Sequence, residues 1–168
     1  MRIRTVIDSA VGPLTLVADE GMIVGLYMDL QWHRPAEDKL GELDPRGCEA
    51  EPFKAGADQL GAYFAGALRG FTLPLAPRGS PFQQKVWAAL QDIPYGRTES
   101  YGELAERIGF PGAARAVGLA NGKNPIGIVI SCHRVVGSDG NLTGYGGGLD
   151  RKRQLLDHEL AVSGAALF

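Results

Sequence analysis

The chain has 168 residues, 45% hydrophobic and 21% charged, with a formal net charge of −2. That length suits one large domain or two small ones, and no apolar run nears the roughly 18 residues a membrane span needs. The overall charge does not point to a nucleic-acid partner, and two cysteines (Cys48, Cys132) and three histidines (His33, His133, His158), without C-x-x-C or H-E-x-x-H spacing, argue against a disulfide framework or a metal site.

Residues 1–7 alternate apolar and polar side chains, and with 13–18 and 22–28 they predict three strands joined by turns at Val11-Gly12 and Asp19-Glu20-Gly21. A meander is the simplest arrangement. The first residues lack the apolar core of a secretory signal, so a reducing, cytoplasmic location is expected. Residues 31–52 are polar and rich in Pro and Gly. Phe53, Ala57, Leu60, Tyr63 and Phe64 then predict a helix over 53–68, making the first half a small α/β unit in which no catalytic group stands out. Pro74, Pro77, Gly79 and Ser80 mark a linker.

Ser80-Pro81-Phe82-Gln83 is a capping box with proline in the first turn, and it opens a helix whose apolar face is Phe82, Val86, Ala89, Leu90 and Ile93. Pro94-Tyr95-Gly96 ends it. Ser100-Tyr101-Gly102-Glu103 is a second capping box, opening a helix to about Ile108, and a turn at Gly109–Gly112 leads to a third helix from Ala113 to about Gly122. Helix, Gly-containing turn and helix give the outline of a helix-turn-helix, an outline that plain helical cores share.

Residues 1–80 hold 8 basic and 11 acidic side chains, and residues 81–168 hold 9 and 8. Arg115, Lys123, Arg134, Arg151, Lys152 and Arg153 form a local basic group in the second half, read as a DNA-facing patch or a solvated surface. Ala113, Ala114, Ala116, Gly118, Ala120 and Gly122 leave the third helix slim, with Arg115 the one long side chain in its first turn. Slimness allows tight packing against a neighbouring helix. It equally suits the minor groove, where a lone arginine could enter the stack vacated by an extruded nucleotide.

Residues 130–136 read Ile-Ser-Cys-His-Arg-Val-Val, an apolar strand expected to end at Cys132. A free thiol has a pKa of about 8.5, so a cysteine nucleophile needs a base. His133 is adjacent, and because neighbours in a strand face opposite ways, contact requires that the strand end there or that a water bridge the two. On the last helix, from about Asp150, Glu159 falls on the apolar arc between Leu155 and Leu156, where a carboxylate must be paired. Cys132, His133 and Glu159 therefore read as nucleophile, base and orienting group.

Ser131-Cys132-His133-Arg134-Val135 resembles the Pro-Cys-His-Arg-Val signature of the O6-alkylguanine-DNA alkyltransferases. The likeness extends through Phe82…Val86-Trp87, Ile93-Pro94-Tyr95-Gly96, Ser100-Tyr101, Ala113-Ala114-Arg115-Ala116-Val117-Gly118, Asn124-Pro125, Gly144-Tyr145-Gly146-Gly147-Gly148 and Leu155-Leu156-Asp157-His158-Glu159, nearly all of residues 80–160. The resemblance implies a ribonuclease-H-like α/β domain over 1–75 and a mostly helical domain over 80–168 with a helix-turn-helix of winged-helix type. It implies irreversible, single-turnover transfer of an alkyl group from O6 of guanine in double-stranded DNA to Cys132, the base being flipped through the minor groove. O4-alkylthymine is left open as a further substrate. No cofactor and no metal are implied, and a monomer is expected in solution, with cooperative binding on DNA left open.

By the same resemblance, His133 acts on Cys132 through a water, Glu159 orients His133, and Asn124 supports the thiolate. Tyr101 donates a proton to guanine N3, Arg115 fills the vacated stack on a helix surface that includes Ala114, Ala116 and Gly118, and Tyr145, Gly146, Gly147 and Ser131 line the pocket. One departure is plain: serine stands at 131 where the family has proline. Two rival readings are a Cys-His-Glu hydrolase, which leaves Arg115 and Tyr101 unexplained, and a lesion sensor that binds alkylated DNA without reacting.

Overall fold

A computed structural model describes residues 1–165. The expected meander forms from β1 (Arg2–Ile7), β2 (Leu14–Asp19) and β3 (Met22–Met28), all antiparallel, and a short β4 (Glu42–Leu43) adds parallel to β1, giving the order β3-β2-β1-β4. β2 is buried on both faces. One face packs on the main core. The other meets Val24, Tyr27 and Leu40, the last carried by the polar 31–52 stretch, which the sequence pattern left without a packing role.

The helix α1 (Phe53–Phe64) is shorter than the 53–68 predicted. Gly66 takes φ +78° and its N–H returns to the Tyr63 carbonyl, a left-handed stop that favours glycine over any side chain. The linker is not free: Ile23 and Pro74, then Ala76 and Ile23, exchange backbone hydrogen bonds of 2.7 and 2.9 Å along the outer edge of β3.

Both predicted capping boxes are made. Ser80 and Gln83 close the start of α2 (Pro81–Leu90), and Ser100 and Glu103 close that of α3 (Tyr101–Arg107), each cap worth about 1 kcal/mol. With α4 (Ala114–Gly122), α3 makes the helix-turn-helix, flanked by a two-stranded parallel ribbon of β5 (Glu99–Ser100) and β6 (Val135–Val136). Trp87 Nε1 on α2 donates to the Ala120 carbonyl at 2.9 Å, fixing α4 against α2. α5 (Leu149–Ala165) closes the fold. No helix among the described residues is long and apolar enough to cross a membrane.

The segment before Cys132 differs from expectation: it is not a strand. It docks on β3 by one bridge, Leu26 to Ile126, and then folds on itself. Val129 N–H bonds the Gly127 carbonyl across Ile128 at φ +71°, Cys132 N–H bonds the Ile130 carbonyl across Ser131 at φ −78°, ψ 56°, and residues Cys132–Arg134 form a 3₁₀ turn. The cause is Asn124. Its amide donates to the Ile130 carbonyl at 2.8 Å and accepts from Ile126 N–H at 3.0 Å, so backbone groups that would pair sideways in a strand are closed locally.

Candidate active site

The turn leaves Cys132 6% exposed beside a cavity that Asn121, Asn124, Tyr145, Gly146 and Gly147 also line. The cavity is about 10 Å³, room for one water at most. Burial pushes the Cys132 thiol up. The Asn124 amide, the Lys152 ammonium and nearby backbone N–H groups pull the other way. Lys152 is itself fully buried, its pKa lowered to about 8 by desolvation, with Nζ donating to the Thr143 carbonyl at 2.7 Å. Tyr101 shares that acceptor, its hydroxyl donating to Thr143 O at 2.9 Å, and burial holds it protonated.

His133 is fully buried, and desolvation keeps it neutral. Its Nε2 lies 2.7 Å from Glu159 Oε2. Glu159 is held ionised, well below the usual carboxylate range: burial raises its pKa, but the hydrogen bonds and charges of His133 and Arg134 prevail. An ionised acceptor fixes the proton on Nε2 and leaves Nδ1 as the basic nitrogen, which meets no partner among the described residues.

Glu159 holds more than the histidine. Arg134 donates Nε at 2.8 Å and Nη2 at 3.0 Å, Tyr63 of α1 donates its hydroxyl at 2.7 Å, and Gly96 N–H adds a bond at 3.2 Å. Arg134 also bonds the Ile93 carbonyl at 2.7 Å. The carboxylate thus ties the Cys132 turn, α1, the loop after α2 and α5 into one buried network.

Arg115 and Ala116 are exposed on α4, Ala114 is half-buried, and a side chain at Gly118 would lie 3.7 Å from the Tyr101 ring. Gly146 receives the Trp32 N–H at 2.7 Å, which closes the cavity mouth with a loop of the N-terminal half. A Cβ on Gly147 would collide with Met28 and Tyr145. Ser131, expected in the pocket wall, does not line this cavity. Its hydroxyl donates to the Leu90 carbonyl at 2.6 Å, and its side chain faces a different cleft, shared with Arg69, Tyr95 and Arg134.

Residues 81–161 match the family described as 6-O-methylguanine DNA methyltransferase, DNA binding domain, and residues 3–77 match its ribonuclease-like domain. The methylated-DNA--protein-cysteine methyltransferase of Mycolicibacterium paratuberculosis is 56% identical over 164 residues, covering 98% of this chain and 95% of its own. The chain belongs to the 6-O-methylguanine DNA methyltransferase family. A more distant relative in the family, the methylated-DNA--protein-cysteine methyltransferase of Methanosarcina acetivorans, is 46% identical over 155 residues, covering 92% of this chain and 96% of its own. The crystal structure of Mycobacterium tuberculosis OGT in complex with DNA superposes with a TM-score of 0.88 at 51% identity, covering 95% of this chain and 94% of that one.

Within this 6-O-methylguanine DNA methyltransferase fold, three buried polar groups escaped the sequence reading. Arg134 and Lys152 counted as surface basic residues but are 7% and 0% exposed, and Tyr63 counted as core. A fourth, Asn121, left a legible signal: it stands four residues after Val117 on the inward face of α4, where a polar side chain needs a partner.

Proposed function

We propose that this chain repairs double-stranded DNA by taking the alkyl group from O6 of guanine onto Cys132 Sγ, once per molecule. The observation that carries the reading is the buried Cys132 turn, with a neutral His133 oriented by an ionised Glu159 and with Asn124 and Lys152 placed to favour the thiolate. The Cys132 proton passes through a water to His133 Nδ1, and the sulfur attacks the alkyl carbon. The carbon–O6 bond breaks, a thioether forms, and the guanine left with the electron pair takes a proton at N3 from the Tyr101 hydroxyl. The thioether has no leaving path, so there is no turnover and no cofactor.

A cavity of about 10 Å³ admits no purine until Tyr145–Gly148 parts from Gln31 and Trp32. The base reaches it by flipping through the minor groove, with Arg115 filling its place and Ala114, Ala116 and Gly118 letting α4 sit close. We assign residues 1–75 to a supporting domain and 80–168 to a DNA-binding and acceptor domain, acting as a monomer in a reducing, cytoplasmic setting where the thiol persists. The test is single-turnover methyl transfer from a duplex with one O6-methylguanine. Cys132→Ser should bind that duplex and transfer nothing, and Tyr101→Phe should bind and transfer at least tenfold more slowly. Lesion binding without transfer by the unaltered protein would make it a sensor, and thioester hydrolysis at Cys132 would make it a hydrolase.

A further inference from the structure

Tyr63 is fully buried on α1, in the half of the chain that matches the ribonuclease-like domain. A phenylalanine would fill the same space, and a buried hydroxyl is costly unless it finds a partner. The partner is Glu159 Oε2 at 2.7 Å, the oxygen that also receives His133 Nε2–H at 2.7 Å and Arg134 Nη2–H at 3.0 Å. The Arg134 guanidinium already supplies the counter-charge through two bonds, so the carboxylate does not need the tyrosine to be neutralised. Burial and the Glu159 charge push the Tyr63 hydroxyl far above its ordinary pKa, which keeps it a donor. Its placement is fixed from α5: His158 Nε2 donates to the Tyr63 carbonyl at 2.8 Å, and the next residue is Glu159 itself. Phe64 and Tyr95 meet the ring edge-to-face, at centroid distances of 5.1 and 6.1 Å.

Resting on the alkyl-acceptor reading, the shared oxygen decides what the hydroxyl does. Donors on one carboxylate oxygen compete for the same negative charge, so the bond to His133 strengthens as the others weaken. A stronger pull on Nε2–H favours the imidazolium, which has no lone pair at Nδ1 to take the Cys132 proton. The charged and titratable groups around His133 are Glu159 and Lys152 of α5, Arg134 and Cys132 of its own turn and, beyond Glu159, Tyr63 of α1 and Tyr95 of the loop after α2. We propose that Tyr63 is a positioning residue of the alkyl-transfer site: its hydroxyl fixes Glu159 Oε2 against His133 and draws off part of that oxygen's charge, so that the ribonuclease-like half keeps the base of the acceptor half neutral.

The test is nuclear magnetic resonance of the His133 ring in the full chain with nitrogen-labelled histidine, the signals being assigned by their loss in His133→Gln. Tyr63→Phe should move the Nε2-bound proton downfield and raise the pH at which Nδ1 is protonated by on the order of half a pH unit, about threefold in the acid constant. Global 3-fluorotyrosine, whose more acidic hydroxyl is a stronger donor and which leaves the bond in place, should move that proton upfield. Tyr95→Phe removes a buried hydroxyl of the same cluster that has no partner among the described residues, and should move nothing. A merely structural Tyr63 would change the amount of folded protein and leave these signal positions where they are. An unmoved proton in both the Tyr63→Phe and the fluorotyrosine protein, or an equal displacement by Tyr95→Phe, would overturn the role of Tyr63. Absence of methyl transfer from an O6-methylguanine duplex by the unaltered protein would instead sink the alkyl-acceptor reading, leaving the effect of Tyr63 on His133 in place.

Discussion

Replacing Glu159 with Gln tests the buried network most severely. The carboxylate receives hydrogen bonds from His133, Arg134, Tyr63 and Gly96, and Arg134 is only 7% exposed. Glu159→Gln leaves the guanidinium buried without a counter-charge, and removing one partner of a buried pair costs about 3–5 kcal/mol. Domains of this kind total about 5–15 kcal/mol, so the variant should be marginal, with Tm lowered by about 10 °C. The assay is thermal and urea unfolding followed by circular dichroism at pH 7, on Glu159→Gln, Arg134→Met and the double variant. Since the damage lies in the stranded charge, the double variant should be more stable than Glu159→Gln alone. Strict additivity of the two losses would refute that reasoning.

The same cluster sets the acid limit: Glu159 and His133 both have lowered folded-state pKa values, so their contributions are present at neutral pH and lost as pH falls. Loss begins below about 6.5, where unfolded histidine takes a proton that buried His133 refuses, and deepens as the unfolded carboxylate protonates. Urea midpoints from pH 7 to 4 should fall throughout, and a flat profile would count against it. Ser131 sits at φ −78°, inside the range proline enforces, so Ser131→Pro should keep the transfer rate within about twofold, a larger drop showing that the hydroxyl bond to Leu90 is essential. Lys152 carries its charge below about 8, so transfer should rise from pH 6 as the small thiolate fraction of Cys132 grows and level off near 8, where Lys152 gives up its charge. Lys152→Met should remove that break, and an unaltered profile in that variant would contradict the assignment. Arg115→Ala should slow repair of duplex DNA at least tenfold and spare transfer from a free O6-alkylguanine base, a pattern that equal losses on both substrates would rule out.

The sequence was legible where local rules operate. Three strands, two capping boxes and an inward Glu159 follow from residue pattern and side-chain chemistry alone, and each stands where the sequence put it. The strand expected before Cys132 failed because one side chain, Asn124, closes the neighbouring backbone on itself, which no period-2 pattern signals. Arg134 and Lys152 looked like surface charge because only the tertiary fold brings Glu159 and the Thr143 carbonyl to them. Tyr63 has the helical spacing of Phe53 and Leu60, so its hydroxyl's part in a network 96 residues away was hidden behind an ordinary core position.

The central claim is a covalent one, so the most direct measurement is the intact mass of the protein, with peptide mapping, after incubation with a duplex containing O6-methylguanine. One added methyl group is expected, located on Cys132 and saturating at one per molecule. An unchanged mass while the duplex remains bound, or a methyl group carried on any other residue, would contradict it.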